Sequence, residues 1–269
     1  MKKTLTFFLL VGILFLGACT NQTKNNTSIL NKKDIQTNTQ SQTDNFKWVD
    51  KSDFVNASAL ISSLPKEDLS NQERESLIQM REEEKLAHDV YLTLYKKWNL
   101  PIFSNITQSE QTHTNAIKAL LKRYNIEDPV KSEDIGVFTS PRIQELYNSL
   151  VLQGEKSLLD GLKVGATIED LDIKDLEDFM KIVNNQDIIL VYQNLTKGSR
   201  NHLRSFVRLI KKNGGSYSPQ YISSDYYNKV INSEMERNVI SGFNSGHPAQ
   251  PNSSNQGNNY PRRQGNRPN

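Results

Sequence analysis

Cysteine is nearly missing from this chain. Cys19 stands alone, so no internal disulfide can staple the fold. An excess of one charge is missing too. The 33 Lys+Arg against 30 Asp+Glu leave a formal +3, which gives no electrostatic case for nucleic acid as a partner. Long apolar runs are also scarce. The run from Leu5 to Leu16 is too short to span a bilayer comfortably, and a mean hydropathy of -0.63 excludes a multi-span membrane protein. Both ends of the chain are rich in Asn, Gln and Ser, so a compact core has to lie between them.

What is present begins with an address. Lys2 and Lys3 precede the apolar run, and Leu16-Gly17-Ala18-Cys19 follows it. Basic start, short apolar core and small residues read as an export signal over residues 1–18. The last four resemble the lipobox of bacterial lipoproteins. That resemblance implies lipidation of Cys19 and a lipid-anchored, extracytoplasmic place in the cell envelope. Residues 19–45 read as a disordered tether, 46–222 as the folded domain with its core over 69–213, and 223–269 as a mostly disordered tail.

Within the domain the pattern is helical throughout. Ser70 with Glu73 forms a capping box for a first helix ending at Trp98. Its apolar stripe runs Leu77, Met80, Glu84, Ala87, Tyr91, Leu94. Glu82 and Glu83 face elsewhere and read as solvated. His88, off the stripe, reads as a surface histidine. A second helix, with Ser104 as its N-cap, carries Ile106, Glu110, His113, Ile117 and Leu120 on one face. A long connection follows, holding a short helix that opens at Ser140-Pro141. A third long helix from near Glu155 places Glu169 in line with Leu162 and Leu176. Asp172 is either a further ligand or the N-cap of a separate short helix. A fourth, from about Asp187 to Lys212, places His202 among Tyr192, Leu195 and Phe206. Tyr217 to Ile222 would pack as a strap, and a weak helix follows near Asp225.

Each long stripe is therefore interrupted once, near its middle, by Glu84, by Glu110 with His113, by Glu169 and by His202. Buried carboxylates without partners are strongly unfavourable. The stripes carry no Lys or Arg to neutralise them. Carboxylates and imidazoles converging between helices suit iron or manganese, one or two ions, with zinc a further option. A polar layer held only by hydrogen bonds is the competing reading.

Glu84 with Ala87 and Tyr91, and Glu110-x-x-His113, resemble the first two helices of rubrerythrin-type proteins. The stretch Met80 to Tyr91, Phe103-Ser-Asn-Ile, Gly136-Val-Phe138 and Gly198-Ser-Arg-Asn-His202 resemble one ferritin-like family known only as a domain of unknown function. The resemblance implies an all-α, ferritin-like four-helix bundle with a long crossover between helices 2 and 3. It implies that Glu110 bridges two metals, that Glu84 and Glu169 are terminal ligands, and that His113 and His202 supply nitrogen. Tyr91 would hydrogen-bond a ligand. The expected activity is Fe(II) oxidation or peroxide reduction, with an external electron donor and a second copy of the chain as possible partners. Two departures weigh against turnover. Ser199 stands where a full di-iron pattern has Glu, and the chain lacks the Cys-x-x-Cys pairs of a rubredoxin-like module. The alternative is a non-enzymatic surface lipoprotein that uses the bundle for structure or binding.

Overall fold

The structure is a computed structural model that describes residues 58–241. Cys19, the export signal, the tether and the last part of the tail lie outside the described residues. Every regular element among the described residues is a helix, and none is long and apolar enough to cross a membrane.

Helix α1 (Asn71–Trp98) begins as its capping box requires. Glu73 N–H donates to Ser70 Oγ at 3.2 Å, and Ser70 N–H donates to Glu73 Oε2 at 2.9 Å. It stops at Asn99, which takes a left-handed conformation (φ 50°) and donates its N–H to Tyr95 O at 2.7 Å. Pro101 then opens α2 (Pro101–Arg123) at once, so the two helices form a tight antiparallel hairpin. Ser104 is therefore inside α2 and not its cap. Its Oγ donates back to Pro101 O at 3.1 Å.

The crossover carries α3 (Pro141–Gly154), capped by Ser140, and leads to α4 (Leu158–Met180), capped by Ser157. Helix α4 starts three residues after the expected Glu155 and runs unbroken through Asp172, so Asp172 caps nothing. Helix α5 (Gln186–Lys212) returns along α4, and α6 (Ser224–Asn232) packs on α5. Helix α1 packs along α2 and against α4, and α2 against α5, while α3 covers α1 and α4.

Apolar side chains fill both ends of the core. Leu77, Met80, Ile117, Leu120, Leu176 and Tyr192 pack at one end. Tyr91, Phe103, Leu162 and Phe206 pack at the other. The polar interruptions lie between.

A second, ionic face of α1 ties down the crossover. Buried Arg81 reaches Asp128 at 3.2 Å and Glu133 at 2.9 Å, and Lys85 Nζ donates to Asp134 O at 2.9 Å. Asp89 pairs with Lys85 and accepts the Gly136 N–H at 2.9 Å, where the chain turns through φ +77°. The packed domain also extends past the expected limit at residue 222. Glu236 accepts from Arg200 and Arg204, and α6 buries Tyr227 and Val230. The strap behaves as its sequence suggests. Asp170 accepts from Tyr217 Oη at 2.8 Å and from the Ile222 N–H at 2.9 Å.

Candidate metal centre

The interruptions meet. Glu110 and His113 stand side by side one turn apart on α2, Glu84 faces them from α1, Glu169 from α4 and His202 from α5. All five are buried. His113 Nδ1 lies 2.9 Å from Glu110 Oε2 and 3.4 Å from Glu84 Oε2. His202 Nδ1 lies 3.0 Å from Glu110 Oε1 and 3.3 Å from Glu169 Oε2. The two imidazoles stack, with centroids 5.7 Å apart and planes inclined by 28°.

Two groups of potential ligands result: Glu84, Glu110 and His113, and Glu110, Glu169 and His202. Within each, one donor atom per residue lies within 4.8 Å of the others, and either group could hold a metal ion. Glu110 belongs to both. Both oxygens of Glu84 and Oε1 of Glu110 are buried without a hydrogen-bond partner. The 3.0 and 3.4 Å approaches of the rings to these atoms are ion-pair distances not aligned for hydrogen bonds. Orphaned carboxylate oxygens facing imidazole Nδ1 atoms are a donor set that fits a divalent transition metal.

The electrostatics describe the protein without an ion. Burial pushes the Glu84 carboxyl well above the usual range. Burial also opposes the charge on Glu110, but His113 and His202 on either side hold its carboxyl well below that range. Burial opposes charge on His202 as well, and Glu169 and Glu110 overcome it, lifting the imidazole to about 9. His113 is raised in the same way by Glu110 and Glu84.

Supporting contacts fix these side chains. Tyr91, fully buried, donates its hydroxyl to Glu169 Oε1 at 2.5 Å and fixes the orientation of that carboxylate. Ser109 Oγ lies 3.0 Å from His202 Nε2 and can set the tautomer of that ring. Gly198 meets the other ring. A Cβ built there would lie 2.6 Å from His113 Nε2. Ser109 and Gly198 are missing from the sequence-derived set. Both flank recognised motif residues, but neither residue type advertises its contact.

Asp172 is outside both groups. Ser199, fully buried, donates its hydroxyl to Asp172 Oδ2, so the α5 position that lacks a carboxylate is met by one from α4. Burial, then the charge of Glu169, lifts Asp172 to about 7. His88 is not at the centre, and its Nδ1 lies 2.9 Å from Asp89 Oδ1. Glu83, expected in solvent, is buried. Helix α4 covers that face of α1, and the α1 stripe is wider than the apolar residues alone indicate. A narrow cleft, with a cavity volume of about 30 Å³, reaches Glu84, Glu110 and Glu169 past Leu86, Leu146 and Ile168.

An all-α domain with two carboxylate–histidine groups sharing one glutamate is the class of protein that fold and site define. The chain belongs to the family described as Uncharacterized protein domain (DUF2202), whose model matches residues 73–234. It is similar to the Uncharacterized protein MJ0754 of Methanocaldococcus jannaschii, 60% identical over 179 residues that cover 66% of this chain and 97% of that protein. It also resembles the crystal structure of hypothetical protein MJ0754 from Methanococcus jannaschii DSM 2661, with a TM-score of 0.64 and 60% identity, covering 64% of this chain and 99% of that one.

Proposed function

We propose that this chain is an exported, lipid-anchored, ferritin-like metal protein whose four long helices form a bundle around a two-metal iron or manganese centre, and that the centre oxidises Fe(II) or reduces peroxide. The observation that carries the reading is Glu110, whose two oxygens face the two histidines in two potential ligand groups. A bound pair of redox metals supplies the electron chemistry. The chain supplies the rest. Glu84 and Glu169 would be terminal ligands, His113 and His202 nitrogen donors, and Glu110 the bridge. Tyr91 holds Glu169 in orientation. Asp172, lifted to about 7, can take up or release a proton close to the centre near neutral pH. The cleft that reaches Glu84, Glu110 and Glu169 has room for small molecules such as water beside these carboxylates, which is compatible with oxygen or peroxide as the reactant.

Electrons for peroxide reduction would come from an external donor, the anchor would be a lipid on Cys19, and a second copy of the chain is compatible with the reading. Ser199 supports the competing reading of a non-enzymatic surface lipoprotein that uses the bundle for structure or binding, because a serine hydroxyl is a poor metal ligand where the ferritin-like pattern has a carboxylate. The test is metal content by mass spectrometry of full-length protein never exposed to chelator, followed by Fe(II) oxidation and peroxide assays. About two equivalents with turnover supports the reading. Metal without turnover selects the competing one. Under about 0.2 equivalents after Fe(II) and Mn(II) reconstitution sinks the metal reading and leaves the non-enzymatic structural or binding module. Replacing Cys19 by Ala should move the protein from the membrane fraction to the soluble fraction, and an unchanged membrane fraction rules out the lipid anchor.

A further inference from the structure

After α6 the chain turns back along α5 and runs against its direction, from Ser233 beside Arg204 to Ile240 beside Asn194. The contacts are mostly to main chain. Asn201 Oδ1 accepts the Glu236 N–H at 2.9 Å, and Asn201 Nδ2 donates to Glu236 O at 2.9 Å. Asn194, two turns earlier on the same face of α5, repeats the pairing with Ile240 at 2.9 and 3.1 Å. Lys197, between them, donates to Asn238 O. Two helical turns measure about 10 Å, and four residues cover that distance only when close to extended. One side chain of the segment is held as firmly. The Glu236 carboxylate accepts from Arg200 Nε and Nη2 at 2.7 and 2.5 Å and from Arg204 Nη2 at 2.9 Å.

This face of α5 therefore recognises an extended main chain and one carboxylate. Its grip is polar. None of residues 233–241 is fully buried, so little apolar area retains the segment, and such segments open at low cost. Arg200 and Arg204 are themselves buried, and losing Glu236 would leave both without their carboxylate, which is strongly unfavourable. The groove thus calls for an acidic occupant. It is also longer than the segment that fills it. Arg208 and Lys211 continue the row of Asn194, Lys197, Asn201 and Arg204 at the same three- and four-residue spacing. Beside them lies an open cavity of about 390 Å³, bounded by Arg204, Arg208 and Lys211 on α5 and by Glu234 and Met235 of the segment.

We propose that this face of α5 is a binding groove for an extended acidic peptide segment of another protein, and that residues 233–240 are its resident occupant. The partner would set a Glu or Asp between Arg200 and Arg204, lay its main chain on Asn194 and Asn201, and place further acidic residues in the cavity at Arg208 and Lys211. The row lies on a different face of α5 from His202, and the proposal does not rest on the metal function.

The experiment measures fluorescence anisotropy of a labelled synthetic peptide with the sequence of residues 233–241 preceded by an Asp-Asp pair, titrated with full-length protein. Wild type, E236Q and E236Q/N194A/N201A are compared, each checked for folding by circular dichroism. A resident occupant lowers apparent affinity, so weakening it with E236Q should tighten peptide binding about tenfold over wild type. Adding N194A/N201A should abolish saturable binding, which general attraction between a basic surface and an acidic peptide would not do. Replacing the peptide's own central Glu by Gln should weaken binding about tenfold. If E236Q fails to fold, I240P opens the groove by removing only the N–H given to Asn194, and N194A alone replaces the double asparagine change if that variant fails. No saturable binding to a folded groove-opened variant overturns the proposal. So does equal affinity with and without the asparagines, or in wild type and E236Q. Sedimentation runs alongside: a wild-type dimer that N194A/N201A dissolves, with no peptide captured, overturns the proposal in favour of segment exchange with a second copy of this chain.

Discussion

A missing methyl group at Gly198 makes room for the His113 ring. On helix propensity alone Gly198→Ala should stabilise α5 by about 0.5–1 kcal/mol. A Cβ 2.6 Å from His113 Nε2 must instead displace that ring or the helix. The expected outcome is metal affinity weakened about 10- to 100-fold on the Glu84–Glu110–His113 side, with metal-free stability little changed. Unaltered Mn(II) or Fe(II) binding in that variant would show that His113 needs no such clearance. Tyr91→Phe removes only the hydroxyl that reaches Glu169, and the ring still packs 5.5 Å from Phe206. Affinity should fall about tenfold while the fold persists, as calorimetry of metal binding would register. The carboxylates and imidazoles that meet between the helices were legible, because each interrupts an apolar stripe. Ser109 and Gly198 were not, because serine and glycine in a helix look the same whether or not a ring rests on them.

At the scale of elements, caps were the readable feature. Ser70 and Ser140 mark helix starts through chemistry that is local in sequence. Glu73 does more than its capping box indicates. Its Oε1 also accepts the N–H groups of Asn184 and Asn185 at 2.9 and 3.0 Å, ahead of α5. Ser70→Ala should cost about 1 kcal/mol. Glu73→Ala should cost about 2 kcal/mol or more, since it also strands two amide groups from another connection. Urea midpoints of the two variants decide this, and equal midpoints would mean that the second contact contributes nothing. The ionic face of α1 was invisible for a related reason. Arg81 and Lys85 find their partners in the crossover, at Asp128, Glu133 and Asp134, where no periodicity signals a contact. Glu236, which holds Arg200 and Arg204, was likewise read as part of the tail.

For the whole molecule, the buried carboxylate–histidine cluster makes stability depend on pH. Asp172 is raised from 3.8 to about 7, so its contribution is lost as pH rises through that interval. His202 is raised from 6.5 to about 9, so what it contributes below 6.5 is lost as pH rises through about 9. Both shifts act in one direction, and Glu110, held low, does not titrate in this range. The melting temperature of metal-free protein should therefore fall between about pH 5 and pH 9. Metal affinity should rise over the same interval, because the ligands lose their protons. A metal-free melting temperature that rises steadily with pH would contradict this charge arrangement.

The sequence by itself determined the helical class, the order of the long helices and which side chains interrupt their stripes, because caps and the 3.6-residue period are local properties of the chain. It also determined the shared role available to Glu110, placed one turn from His113. Only the tertiary structure decided that Asp172 meets Ser199, that Glu83 is buried beside Asp175's helix, and that Glu236 closes on α5. Those outcomes depend on which helix faces which and on how far each slides along its neighbour, and the sequence encodes that only through the summed packing of the whole core.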